Sequence, residues 1–397
     1  MAVIPVEEPH IARAPKGFVP FALGFRPFFL LAGIAAVLLL PLWLLVLADV
    51  LRAPDYFGAA TWHGHTMLFG YAVAVIAGFL LTAVRNWTGV QTATGTPLAL
   101  LAALWLAGRI APFLPLPGWS IAVVDIAFLP ALAIALAIPL LRAGQRHNLV
   151  FLPVLALMTL ANVLVHAQAL SWSFTATTGL RLMTDLVLLL ITIIGGRVIP
   201  FFTESAIPGF KARRHAAIEW ASIGTLIALL LAHAFTVPAM MTAILAAAAA
   251  LAQGLRLSGW LTRAAWNVPL LRVLHLGYGW LVIGFALETF EIVGWTPSGM
   301  ALHAHTAGAI GVLTLGMMAR VSLGHSGRLL QPAASIAFSF TLLNVAVLLR
   351  LLAVVLPAPA YLPSLTAAGL VWTLAFAIFL WVYAPILVKS RVDGRPG

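Results

Sequence analysis

Long apolar runs dominate this chain and decide what it can fold into. A window of about 19 residues finds about twelve runs long enough to cross ~30 Å of hydrocarbon as helices. Because lipid cannot satisfy free backbone polar groups, these runs predict an all-α fold, a polytopic membrane bundle of about 12 transmembrane helices. We expect one integral-membrane domain at 1–397, with short cytoplasmic ends at 1–26 and 389–397. The predicted spans are 27–49, 61–84, 97–113, 119–141, 149–170, 179–202, 216–236, 238–257, 268–293, 301–323, 332–356 and 362–388.

The composition excludes a soluble protein. Hydrophobic residues make up 62% of the chain and charged residues only 8%, whereas about a quarter of a soluble domain is charged. The formal charge of +11 does not indicate a nucleic-acid partner, because the basic residues stand singly between apolar runs. The chain has no cysteine, which excludes disulfides, iron–sulfur clusters and thiolate metal sites. Any metal must therefore be held by histidine, carboxylate, methionine or backbone groups.

The distribution of basic residues predicts the orientation, because short cytoplasmic loops retain Lys and Arg. Most of the 22 Lys and Arg residues fall in the two chain ends and the even-numbered loops. The opposite side holds only Arg52, Arg109, Arg181 and Arg350. Both termini are therefore predicted to be cytoplasmic, and the starts of spans two and ten periplasmic.

Two copies of the motif His-x-His-Thr stand at equivalent depths in the predicted bundle. His63 and His65 open the second span, and His303 and His305 open the tenth. Residues two apart on an α-helix differ in direction by about 200°, so the two histidines of one motif serve different sites. This geometry favours a haem ligated by one histidine from each helix over a compact zinc site. We expect His65 to pair with His305, leaving the other two for a second centre; in the alternative reading, some of these histidines only bond backbone carbonyls or line a hydrated vestibule.

Other polar residues lie inside the predicted spans, where an ionisable group is costly and indicates a functional site. His166 and His233 end spans five and seven at the outer depth, and His275 lies in the cytoplasmic half of the ninth. Neutral imidazoles suit copper or iron, although each of the three taken alone is more often a core histidine. Four carboxylates share the outer depth and indicate a polar site there: Asp125, Asp185, Glu288 and Glu291.

Charged residues and span spacing give two further expectations. At an inner end, Arg197 lies among apolar residues, and Glu204 is its expected counter-ion. Spans two, six and ten begin near residues 63, 180 and 303, which divides the chain into three four-span units. This spacing matches, by analogy, the three arcs of helices in the catalytic subunit of haem-copper oxidases.

Five strings together resemble the NnrS family over almost the whole chain, from about Phe21 to Lys389. They are FALGFRPFF from Phe21, WHGHTMLFG from Trp62, GFLLTAVRNWTG from Gly78, GGRVIPFFT from Gly195 and GMMARVSLGHSGR from Gly316. The resemblance implies a bacterial inner-membrane protein linked to denitrification and nitric-oxide stress that contains haem and copper. It also implies that four histidines match the family's two HxH motifs and three further residues its other polar signature positions: His63, His65, His303 and His305, then Arg197, Arg320 and His325.

The leading hypothesis is a redox protein that handles nitric oxide or protects metal centres from it; whether it is an oxidoreductase that turns nitric oxide over stays open. In it, b-type haem lies between helices two and ten near the periplasmic face, with copper beside it and quinol as the electron donor; His166, His233 or His275 could hold that copper. The chain has no adjacent His-His pair and no tyrosine in the sixth span, so oxygen reduction coupled to proton pumping is not expected. The alternative is a membrane transporter, or a metal-delivery or assembly protein without redox turnover.

Overall fold

Twelve helices long and apolar enough to cross a membrane make up the fold in the computed structural model, which describes residues 17–235 and 237–395. The predicted all-α membrane fold is confirmed, while residues 1–16 of the predicted N-terminal end lie outside the described residues. The helices are α1 Phe25–Leu47, α2 Ala59–Thr88, α3 Thr96–Phe113, α4 Gly118–Arg142, α5 Arg146–Ala169, α6 Ala176–Ala206, α7 Ala216–Ala234, α8 Ala239–Ser258, α9 Pro269–Ile292, α10 Met300–His325, α11 Ala334–Ala353 and α12 Ala358–Val388.

Proline and glycine set several of the helix ends. Pro238 and Pro357 stand immediately before α8 and α12, where the fixed φ of proline suits a helix start. Gly89 ends α2 in the left-handed region at φ 69°, and its N–H donates to the carbonyl of Arg85. These local signals explain why α7 and α8 are separate helices although only a short segment joins them.

The centre of the bundle is formed by α2, α6 and α10, which contact one another. The apolar windows of α2 and α10 are 83% and 78% buried inside the protein, more than those of the other spans. The remaining helices surround these three, and α12 packs along both α1 and α11. Helices four spans apart in the sequence therefore meet at the centre of the bundle.

Both ends of the described chain lie on the same face of the bundle. Phe18 and Lys389 form an antiparallel β-bridge, and the N–H of Val19 donates to the carbonyl of Val388 at 2.8 Å. The guanidinium of Arg26 donates to the carbonyl of Leu387 at 3.0 Å. An even number of spans requires this arrangement. The opposite face, where α2 and α10 begin, is called the histidine end below.

Both HxH helices change to π-helix at the motif. The π-helical segment is Thr66–Ala72 in α2 and Ala304–Gly311 in α10. In α2 the hydroxyl of Thr66 donates to the carbonyl of Trp62 at 2.9 Å, so the motif threonine supports the altered turn. Such wider turns occur frequently at functional sites. They also rotate the side chains that follow them relative to a regular α-helix.

Candidate functional site

A cavity of about 520 Å³ lies at the histidine end between α1, α2, α6, α10, α11 and α12. This volume falls within the range of cofactor and small-molecule pockets. Its polar lining consists mainly of two imidazoles and two guanidiniums, contributed by His63, Arg181, His303 and Arg350. Most of the remaining wall is apolar or aromatic and includes Trp43, Met67, Leu68, Tyr71, Ile310 and Trp372.

The two cavity histidines have different environments. His63 stacks on Trp43 with the ring planes 9° apart and the centroids at 4.5 Å, and its ring nitrogens have no hydrogen-bond partner among the described residues. Nδ1 of His303 lies 2.8 Å from the carbonyl oxygen of Gly299. Since a carbonyl only accepts, Nδ1 carries the proton and Nε2 carries the lone pair. Arg350 donates to that lone pair at 3.1 Å.

The second histidine of the α2 motif belongs to a buried cluster outside the cavity. Nε2 of His65 lies 3.0 Å from Oδ2 of Asp125, and Nε2 of His166 lies 2.9 Å from the same oxygen. In the described part of the chain this is the one group of three such residues whose ligand atoms all lie within 4.8 Å of one another. Two imidazoles and a carboxylate form a donor set that suits zinc, copper or iron.

Three neighbours hold this cluster in place. Arg109 forms an ion pair with the other carboxylate oxygen of Asp125, and Asn162 donates to Oδ2 at 3.0 Å. The hydroxyl of Tyr56 lies 2.8 Å from Nδ1 of His166, and burial in the loop before α2 raises the pKa of Tyr56 to about 12. The phenol therefore stays protonated and can donate to His166. Hydrogen bonds of this kind fix the orientation of a metal-ligating imidazole.

His305, the second histidine of the α10 motif, lies against α9. Its imidazole packs over Gly284, where a side-chain carbon would collide with the ring, and its centroid lies 4.5 Å from that of Phe285. Nε2 of His305 is buried and has no hydrogen-bond partner among the residues the structure describes. A buried imidazole nitrogen without a partner is rare in proteins and marks a candidate ligand atom.

A second polar cluster surrounds His233 at the end of α7. Nδ1 of His233 lies 2.8 Å from Oδ2 of Asp185, and Nε2 lies 3.1 Å from Oε1 of Glu288. Arg181 forms an ion pair with the same Glu288 and also lines the cavity. The imidazole is thus held between two carboxylates, and one guanidinium links this cluster to the cavity.

The predicted pairing of the histidines needs a correction. His65 contacts residues of α4 and α5, whereas His305 contacts α9, so these two imidazoles do not face each other. The structure instead brings His63 and His303 to one cavity. The physical reason is that α2 and α10 lie near each other: the first histidine of each motif points between them, and the second points away on the opposite face.

The predicted ion pair at the end of the bundle opposite the histidine end also needs a correction. Arg197 donates to the side-chain oxygen of Asn148 at 2.9 Å. The expected counter-ion Glu204 instead accepts from the N–H of Ala212 and lies 3.6 Å from Arg214. The carboxylate of Glu204 thus binds the loop after α6, and not Arg197 as predicted.

The remaining candidates lie away from the cavity. The imidazole of His275 lies between two backbone carbonyls, 2.9 Å from that of Leu271 and 3.3 Å from that of Trp260. The guanidinium of Arg320 lies over the ring of Phe202 at 3.7 Å. His325, at the end of α10, has Nε2 at 3.3 Å from the side-chain nitrogen of Asn86. None of these contacts includes a residue of the cavity or of the His65 cluster.

Sequence reasoning missed several residues that contact the histidines. Asn162 precedes His166 by four residues on α5, so helical spacing could have placed both on one face. Trp43 and Tyr56 gave no comparable signal, since only the packing of α1 and its loop against α2 brings them to the motif.

Comparison with known proteins identifies the family. The model of the NnrS protein family matches residues 19–391, nearly the whole chain. The chain belongs to the NnrS family. A search of curated proteins found no match. The string GGRVIPFFT has a packing role in this NnrS chain. Because Gly196 has no side chain, the guanidinium of Arg256 fits against it and forms an ion pair with Glu219.

Proposed function

We propose that this NnrS-family protein is a haem- and copper-containing redox protein of the bacterial inner membrane that acts on nitric oxide. In this proposal haem occupies the cavity at the histidine end, between His63 of α2 and His303 of α10. Family membership supports the link to haem, copper and nitric oxide. The observation that carries the location is a cavity of about 520 Å³ with an imidazole from each HxH helix and two arginines.

The residues of the cavity fit haem. The lone pair of His63 is open to the cavity, and that of His303 is bonded only to Arg350. Nη1 of Arg350 is buried without a partner in the described chain, so it can donate to a carboxylate of the cofactor. Arg181 supplies a second positive charge, and the apolar walls suit a porphyrin ring. When bound, haem supplies an iron that exchanges electrons and binds nitric oxide.

The chain's own residues give the two histidines unequal roles. Trp43 fixes the ring plane of His63, and nothing in the described chain competes for its nitrogens. His303 must release Arg350 before its Nε2 can bind a metal. His63 is therefore the permanent ligand in this proposal, and His303 the exchangeable one. His63 would hold the iron of a bound haem, and release of His303 would leave room for nitric oxide to bind to that iron.

The cluster of His65, Asp125 and His166 is proposed as the copper site. Its three ligand atoms lie within 4.8 Å of one another. Arg109 pairs with the other carboxylate oxygen of Asp125, which leaves Oδ2 directed at the two imidazoles. Neutral imidazoles and a carboxylate bind copper and iron, and the metal content of the purified protein decides between them.

The proposed reaction is the two-electron reduction of nitric oxide. Two molecules of nitric oxide, two electrons and two protons give nitrous oxide and water, and one quinol supplies both the electrons and the protons. The excess of basic residues at the other face supports an orientation with both termini in the cytoplasm and the cavity near the periplasm.

The deciding experiment measures the visible spectrum and the metal content of the purified protein. We expect a Soret band that His63→Ala removes, and copper that His65→Ala removes while the Soret band remains. His147→Ala, at an exposed histidine in the first turn of α5, is the matched control and should change neither. A colourless wild-type protein would refute the haem proposal, and a colourless protein that still contains metal would favour metal delivery or transport.

A further inference from the structure

A second pocket lies deeper in the bundle than the cavity. It has a volume of about 90 Å³ and is bounded by α1, α2, α6, α9 and α10. Its lining is apolar apart from one hydroxyl and includes Phe29, Phe79, Val187, Ile194, Leu313 and Met317. Ile310 of α10 lines both the pocket and the cavity, so the two spaces are neighbours along the bundle axis.

Polar contacts mark the two ends of this pocket. At the cavity side, the hydroxyls of Tyr71 and Thr314 are 2.5 Å apart and join α2 to α10. Tyr71 lines the cavity and Thr314 lines the pocket, so this hydrogen bond lies at the boundary. Toward the other face, Arg320 lies over Phe202, one helical turn beyond the pocket residues of α10 and α6. The pocket is an apolar space between these two polar contacts.

Water has no partners in the pocket. A buried water molecule needs two to four hydrogen-bonding groups. The one hydroxyl of the lining, that of Thr314, is already bonded to Tyr71 and donates within α10 to the carbonyl of Ile310 at 2.6 Å. Apolar cavities of comparable size, up to about 150 Å³, stay dry and bind xenon or small apolar molecules. The pocket therefore fits a small uncharged molecule and excludes water and ions.

We propose that this pocket is a docking site for an uncharged diatomic gas, which enters the cavity past the Tyr71–Thr314 hydrogen bond. The chemical class follows from the size and dryness of the pocket and from its position beside the cavity. The identity of the gas as nitric oxide rests on the proposed function. Exchange of Tyr71 for Phe removes one hydroxyl of the boundary without changing the shape of the ring.

Xenon tests the pocket directly, because it needs neither haem nor activity. Crystals of the full-length protein under xenon pressure should show one anomalous peak between Ile194 and Leu313. Ile194→Trp and, from the opposite helix, Met317→Trp should each abolish the peak by filling the space. Ile283→Trp, at a lipid-facing position 43% exposed on α9, is the matched control and should keep it. A wild-type pocket without xenon, or one holding ordered water or a lipid tail, would overturn the proposal.

The passage to the cavity is measured on the haem-loaded protein by the binding rate of carbon monoxide after flash photolysis. Tyr71→Phe should raise that rate several-fold, and Ile194→Trp should lower it, relative to Ile283→Trp. Unchanged rates in both variants would overturn the passage. A colourless protein that still binds xenon would refute the haem function and retain the pocket, so the two failures are distinguishable.

Discussion

Removal of the Arg350 guanidinium should strengthen ligation of the proposed haem by His303. In the structure Arg350 donates to Nε2 of His303 at 3.1 Å, so the lone pair needed for ligation is occupied. A hydrogen bond from a charged donor contributes about 1.5–3 kcal/mol. Because each 1.4 kcal/mol corresponds to about a factor of ten, Arg350 would weaken ligation of the proposed haem by His303 by about 10- to 100-fold. His63 has no such competitor.

The assay is the affinity of dithionite-reduced protein for carbon monoxide, followed by the Soret band. We expect Arg350→Gln to lower that affinity by about 10-fold or more, because a firmer His303 resists displacement. His303→Ala should retain haem and bind carbon monoxide more tightly than wild type, whereas His63→Ala should lose haem. Arg52→Gln, an exposed arginine at the same end, is the control for the lost charge. Tighter carbon monoxide binding in Arg350→Gln, or equal haem loss from both histidine variants, would refute this reasoning.

Three further variants test other parts of the structure. Asp125→Asn should abolish the bound metal while leaving the Soret band, as measured by metal analysis, and full metal retention would contradict the proposed ligand. Gly284→Ala should lower the free energy of unfolding by about 1–3 kcal/mol, because the added carbon collides with the ring of His305; an unchanged melting temperature would show that the ring moves freely. Gly196→Ala should cost about 3–5 kcal/mol by displacing the buried Arg256 from its carboxylate, and a control substitution at the surface-exposed Gly224 should cost much less.

The spans were predictable to within a few residues because lipid sets strict limits on them. The run predicted at 97–113 is the helix Thr96–Phe113, and the run at 268–293 is Pro269–Ile292. Proline and glycine end these runs by local geometry that can be read from sequence alone. The spacing of spans two, six and ten did not by itself predict that α2, α6 and α10 contact one another at the centre.

The partners of individual side chains were not predictable in the same way. Arg197 bonds Asn148 because α5 packs along α6, a contact between helices that no local pattern encodes. Glu204, although nearer in sequence, is used by the loop that follows α6. The helical spacing argument correctly assigned His63 and His65 to different sites, but which neighbour each one meets depends on the packing of the helices.

The two HxH motifs direct their histidines in the same way. Each HxH motif contributes its first histidine to the shared cavity and its second to a separate side of the bundle. On the His65 side, the Nε2 atoms of His65 and His166 both already contact Asp125. On the other side, Nε2 of His305 is buried and has no hydrogen-bond partner in the described chain. A metal bound at the His65 cluster would therefore replace existing hydrogen bonds.

The two sides also differ in how they communicate with the cavity. Arg181 belongs both to the cavity wall and to the cluster of His233 and Glu288, close enough to His305 to act on it electrostatically. A negatively charged group in the cavity would attract Arg181 away from Glu288, leaving that carboxylate to His233 alone. Binding of the proposed cofactor in the cavity would thereby change the surroundings of His233, whereas the described contacts of Arg109 tie that arginine to Asp125. Removing the cavity ligand should consequently alter the environment of His233 and leave that of His166 unchanged, which nitrogen-15 spectra of the two imidazoles can distinguish.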